Sequence, residues 1–180
     1  MCGSGTLAIE AALWARDMAP GLERPRFGFE RWASYDAAAK RDMLELRQAA
    51  RARAKPPAEA PQITASDIAD DALEAAADNA RRAGVKLDLR RADVRGLRAS
   101  PEPEATPGHV VTNPPYGERL AFEPELYLAM ARRFATLGGH RLSILAAGPE
   151  IVAPLRLRAT SSFEVYNGDI PCRLLSYEVP

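Results

Sequence analysis

Apolar positions along this chain fall into two alternating patterns. Short apolar runs, "QITASDI", "KLDLRRADV", "HVVT" and "HRLSILAA", predict buried strands. Between them lie stretches with helical spacing. Thr6 to about Met18 predicts a helix with Leu7, Ala11, Ala12 and Trp14 or Ala15 on its apolar side. Tyr35 to Arg53 predicts a second, with Ser34 as N-cap and Tyr35, Ala39, Met43, Leu46 and Ala50 inward. "KPPAEAP" ends it. A third helix is predicted over Asp70–Ala83, closed by Gly84. A fourth runs over Glu123–Leu137, with Leu126, Met130, Phe134 and Leu137 inward and Gly138-Gly139 as the stop. The segment "ASPEPEATPG" predicts a surface loop. The tail, "TSSFEVYNG" then "CRLLSYEV", predicts an antiparallel hairpin bending near Asn167-Gly168.

Helices alternating with apolar strands predict an α/β fold: a doubly wound, mostly parallel sheet with an antiparallel hairpin at its C-terminal edge. All 180 residues form one domain in this reading, with residues 19–61 a helical insert with loops. Within the insert, Phe27, Phe29 and Trp32 are expected to pin an irregular segment to the core. The alternative is that they form part of a pocket for a base.

Composition narrows the function classes. Twenty-four basic residues balance twenty-four acidic ones, so any attraction to a polyanion must be local. Lys40, Arg41, Arg47, Arg51, Arg53 and Lys55 make the second helix locally basic. Asp42 and Glu45 interrupt it, and a solvated face is expected. Cys2 and Cys172 form neither a disulfide framework nor a metal-ligand spacing, which points to a reducing cytoplasm and to no metal. No apolar run reaches the roughly 20 residues of a membrane span, and no signal peptide is visible.

In doubly wound sheets ligands bind beyond the carboxyl ends of the strands. Three polar features fall at such ends: Asp67, Asp93 and the turn Asn113-Pro114-Pro115-Tyr116. A fourth, Gly3-Ser4-Gly5 with Ala8, opens the first helix as G-x-G-x-x-A. It is no P-loop, because no lysine follows the last glycine. It also lacks the well-placed acidic residue about 20 positions on that a dinucleotide site requires. Asp67 can accept hydrogen bonds from both hydroxyls of a ribose, or cap a helix. Asp93 can accept from an adenine amine, or close a surface turn. The double proline fixes two backbone angles and removes two donors, leaving a rigid corner of acceptors. There the Asn113 side-chain oxygen and the Pro114 carbonyl can take the two hydrogens of a planar amine, with Tyr116 stacked beside it.

"MCGSGTLAIEA", "SDI", "ADV" and "NPPYGERL" resemble the successive motifs of class I S-adenosylmethionine-dependent methyltransferases, whose fold is Rossmann-like. More narrowly, the chain resembles the THUMP-associated RNA guanine-N2 methyltransferases. "APGLERPRFGFERW" and "YNGDIPCRLLSYEV" are most similar to the bacterial members acting on large-subunit ribosomal RNA. The resemblance implies S-adenosylmethionine as cofactor, held by Cys2, Gly3, Ser4, Gly5, Thr6, Asp67, Ile68, Asp93, Val94 and Asn113. It implies methyl transfer to guanine N2 at Asn113, Pro114, Pro115 and Tyr116, with RNA as partner. Other amine substrates (tRNA guanine, DNA adenine, a protein glutamine) and an inactive remnant are the alternatives. In the family a strand ending Asp-Pro precedes the glycine loop. Met1 is therefore expected to match an internal position, with a central first strand missing and the fragment unstable or inactive alone.

Overall fold

A computed structural model describes residues 1–97, 107–116 and 124–180. Four helices run over Thr6–Ala15 (α1), Ala37–Arg53 (α2), Asp70–Arg82 (α3) and Pro124–Phe134 (α4). Six strands run over Thr64–Asp67 (β1), Asp88–Arg91 (β2), His109–Thr112 (β3), Arg141–Ala146 (β4), Ser161–Asn167 (β5) and Ile170–Glu178 (β6). Most of the proposed loop 99–108, the start of the fourth helix at Glu123 and the "GERL" that follows Tyr116 lie outside the described residues.

The strands form two sheets. One is the parallel pair β1–β2, and the other has the order β3-β4-β6-β5. In the second, β3 and β4 are parallel, while β6 pairs antiparallel with both β4 and β5. This is the expected mixture of parallel strands and a terminal hairpin, but not one continuous sheet. Among the described residues no strand joins β1 to β3. The chain's first residues lie near that junction: the backbone N–H of Cys2 donates to the Ser66 carbonyl of β1 at 2.8 Å, and Met1 rests on the core beneath the larger sheet.

That core forms where α4 lies on the larger sheet. Met130, Phe134 and Leu137 are fully buried against Leu142 and Ile144 of β4 and Tyr177 of β6. The helical period gave Met130 and Phe134 of the inward face, with Tyr127 an additional buried member. Leu126, however, is half-buried, and α4 ends at Phe134, so that the buried Leu137 lies beyond the helix expected to reach it. A smaller cluster joins Ile9 and Ala12 of α1 to Ala80 of α3 and Val85.

Three expectations need correction. α1 stops at Ala15, because Asp17 takes a left-handed backbone (φ 53°) that turns the chain into the insert. Its buried residues are Ile9 and Ala12, whereas Leu7 and Trp14 face outward. α2 starts at Ala37, capped by Asp36 rather than Ser34, since the Asp36 carboxylate accepts the Ala39 N–H at 2.9 Å. No residue of α2 is buried, and the aromatic segment before it lies open rather than pinned to the core. The hairpin bends at Gly168-Asp169, next to Asn167 as expected, but β6 begins at Ile170, two residues before the expected Cys172.

Candidate active site

The glycine loop is shaped by two left-handed residues with different surroundings. Gly3 (φ +53°) faces open space, whereas a side chain on Gly5 (φ +84°) would meet the Ala76 Cβ of α3 at 3.0 Å. Gly5 thus lets α1 approach α3, and Gly3 is the one whose surface is free for a ligand. α3 holds the loop a second time, where the Asn79 side-chain N–H donates to the Ser4 carbonyl at 2.9 Å. Cys2 is half-buried and its thiol is pushed up mainly by burial. Thr6 begins α1.

Asp67 ends β1 and is the loop's electrostatic anchor. Its Oδ2 accepts the Gly3 N–H at 2.9 Å and lies 3.4 Å from the Met1 ammonium. Its Oδ1 accepts the N–H groups of Ile68 (2.8 Å) and Ala69 (3.1 Å). Burial raises its pKa, but these bonds and the ammonium outweigh burial and hold the carboxyl below the usual carboxylate range. Three of roughly four acceptor positions are taken, leaving about one for an incoming hydroxyl rather than two. Ile68, next to it, is 61% exposed.

Asp93 follows β2 and caps the turn Val94–Gly96. It accepts the Arg95 N–H at 2.8 Å and pairs with the Arg95 guanidinium at 2.7 Å. These bonds, the backbone one first, outweigh a smaller opposing effect of burial and depress its pKa. Val94 lies against the main core, and its turn rests on α4.

After β3, Asn113 is exposed and Pro114 is buried. The Pro115 carbonyl accepts the Tyr127 hydroxyl of α4 at 2.8 Å. Tyr116 is half-buried, and its hydroxyl accepts the Asn167 side-chain N–H at 2.8 Å, with Cys172 Sγ at 3.5 Å. The corner is therefore held on one side by α4 and on the other by the β5–β6 hairpin. Burial pushes the Tyr116 phenol up and Cys172 acts with it, while the side chains of Asn167 and Asn113 oppose them.

Met1, Val94 and Tyr116, one neighbour from each of three strand-end features, all pack on the same core cluster. Sequence reasoning missed the holders: Ala76 and Asn79 of α3, Tyr127 of α4 and Asn167 of the hairpin. Asn167 carried a signal only as a bend residue. Cys172 is buried and touches the Tyr116 hydroxyl. His109 and Ser143 form a separate chain to Ser176 across the opposite end of the sheet, with contacts of 2.9 and 3.1 Å. Among the described residues no group of three or more His, Cys, Asp or Glu could hold a metal ion. No described helix is long and apolar enough to cross a membrane.

Comparison with known proteins bears on what this arrangement does. The family model described as UPF0020, RMKL-like methyltransferase domain, matches residues 1–176. Among solved structures, SMU.472, a candidate methyltransferase in complex with SAH, is 30% identical with a TM-score of 0.82. A possible methylase from Clostridium difficile 630 is 30% identical (TM-score 0.84). A predicted N6-adenine-specific DNA methylase from Listeria monocytogenes str. 4b F2365 is also 30% identical (TM-score 0.81). Each covers 100% of this chain, which spans 47%, 47% and 45% of their respective lengths.

Proposed function

That the chain belongs to the UPF0020 family of RMKL-like methyltransferase domains is the premise from which we propose that it moves a methyl group from S-adenosylmethionine to the exocyclic N2 amine of a guanine in ribosomal RNA. The observation that supports this reading is the bond from the Gly3 N–H to the Asp67 carboxylate at 2.9 Å, with Met1, Val94 and Tyr116 packed on one shared core. The insert and hairpin sequences that resemble guanine-N2 enzymes support the RNA substrate.

The residues fit the cofactor. Gly3 offers an open surface where a side chain would stand, and Asp67 keeps an acceptor for a ribose hydroxyl. Exposed Ile68 and the Val94 turn would bracket the adenine, and the Asp93 carboxylate would accept a hydrogen bond from its amine. When bound, S-adenosylmethionine supplies a methyl already made electrophilic by its sulfonium, so the chain's task is alignment. Asn113 Oδ1 accepts an N–H of the guanine amine. Drawing that hydrogen into the amide plane turns the nitrogen lone pair out of conjugation and toward the methyl. The Pro114 carbonyl would accept the amine's other N–H. Tyr116, held by Asn167, offers its ring for stacking to a base taken out of its helix. No strong base is needed, because the methylated nitrogen is acidic and sheds its proton to water.

A tritiated-methyl assay with unmodified ribosomal RNA, DNA and protein tests the reading. Label in RNA, recovered as N2-methylguanine, is expected. Asn113→Ala is expected to lower turnover at least about a hundredfold, in line with the loss of one oriented polar group in a reaction site, while S-adenosylhomocysteine affinity stays within about twofold. Equal loss of both would make Asn113 structural. The likeness to a predicted N6-adenine DNA methylase favours one second reading, adenine N6 of DNA, because the same corner suits that amine. Label in DNA adenine would select it.

A further inference from the structure

Residues 24–55 differ from the rest of the chain in charge. They hold nine lysines and arginines against four acidic side chains, within a chain of zero net charge. Phe27 stacks on Phe29 with centroids 5.4 Å apart and planes at 10°. The Phe29 ring then meets Trp32 and Tyr35 edge-on, at 6.5 and 5.7 Å. These rings are not spent on the core. Trp32 is 68% exposed, and with Phe29, Met43 and Leu46 it lines an open hollow of about 390 Å³.

The platform is held from behind. Arg47 donates to the carbonyls of Leu22 (3.1 Å) and Arg24 (2.8 Å), and its guanidinium lies 5.2 Å from the Phe27 ring centroid. Arg53 is spent on Asp17. Arg26, Arg31, Lys40 and Arg41 form no side-chain hydrogen bond or ion pair with described residues, so their charge is open to a partner.

We infer that this segment is a binding platform for single-stranded nucleic acid. Bases stack on Trp32 and Phe29, and Arg26, Arg31, Lys40 and Arg41 neutralise the phosphates. The excess positive charge decides the occupant: a second copy would meet it with the same charge, whereas a polyanion complements it. That the natural strand is RNA rests on the function proposed above. The root of the insert is tied to the far end of α1, where the Lys55 N–H donates to the Arg16 carbonyl at 2.8 Å and Arg16 Nε donates to the Lys55 carbonyl at 3.0 Å. Ten residues of α1 separate that root from the glycine loop by about 15 Å. With its root at that distance, the platform is inferred to take nucleotides that flank the one being methylated.

The test uses fluorescein-labelled RNA and DNA strands of one sequence, about a dozen nucleotides long, with the full chain. Phe29→Ala/Trp32→Ala is expected to weaken binding at least about fivefold, the equivalent of ~1 kcal/mol, without altering the circular dichroism or S-adenosylhomocysteine titration. Arg26→Glu/Arg31→Glu is expected to flatten the dependence of affinity on salt. In a Trp14→Phe background, the remaining Trp32 emission is expected to be quenched by the strand. Unchanged affinity in the aromatic variant overturns the platform, as does a Trp32-dependent dimer in sedimentation. Tighter binding of DNA that still needs the aromatics upholds the platform and counts against the RNA reading instead.

Discussion

Gly3 and Gly5 share a left-handed backbone, yet replacing them should have unequal consequences. Gly3→Ala meets only the backbone cost, about 1–2 kcal/mol. Gly5→Ala adds a collision with Ala76, worth a further ~1–3 kcal/mol, so urea midpoints should rank wild type, Gly3→Ala, then Gly5→Ala. Asp67 gives a pH signature. Its folded pKa is depressed, so its stabilisation is complete above the unfolded value of about 3.9 and disappears as pH falls through the folded value. Asp67→Asn should therefore cost about 1–3 kcal/mol at neutral pH, and the gap from wild type should close below about pH 4. A gap independent of pH would mean that the charge is not what anchors the loop.

Helices α2 and α4 have comparable apolar spacing but opposite fates. α4 lies on a four-stranded sheet, and Phe134→Ala should cost about 3–5 kcal/mol in chemical denaturation. α2 lies on no sheet and buries no residue, so Leu46→Ala should stay within about 0.5 kcal/mol. This contrast explains what the sequence made legible. Period reveals a face, as Met130 and Phe134 did, but not whether another layer covers it. Nothing near Leu46 or Trp32 in the sequence says that their side stays open. Helix starts were blurred for a local reason: Ser34 and Asp36 are both good caps, and only the bond to the Ala39 N–H chooses between them. The hairpin was readable because the alternation and the glycine at its bend agree.

At the scale of the whole molecule, the candidate site residues stand out in the sequence as local signals, whereas what holds them does not. Glycines at fixed offsets, carboxylates after strands and a double proline are local signals. The partners that fix them come from far along the chain: Asn79 on Ser4, Tyr127 on Pro115 and Asn167 on Tyr116. A single sequence carries no mark of such pairings. The strand order β3-β4-β6-β5 was likewise not legible, since strand patterns do not specify which neighbours pair. The central claim is that the Gly3–Asp67 crevice holds an S-adenosyl ligand beside Asn113, and calorimetric titration of the chain with S-adenosylhomocysteine tests it most directly. One saturable site is predicted, weakened at least about tenfold, or ~1.4 kcal/mol, by Asp67→Asn and far less by Asn113→Ala. Folded protein that gives no heat, or an Asp67→Asn variant that binds like wild type, would contradict it.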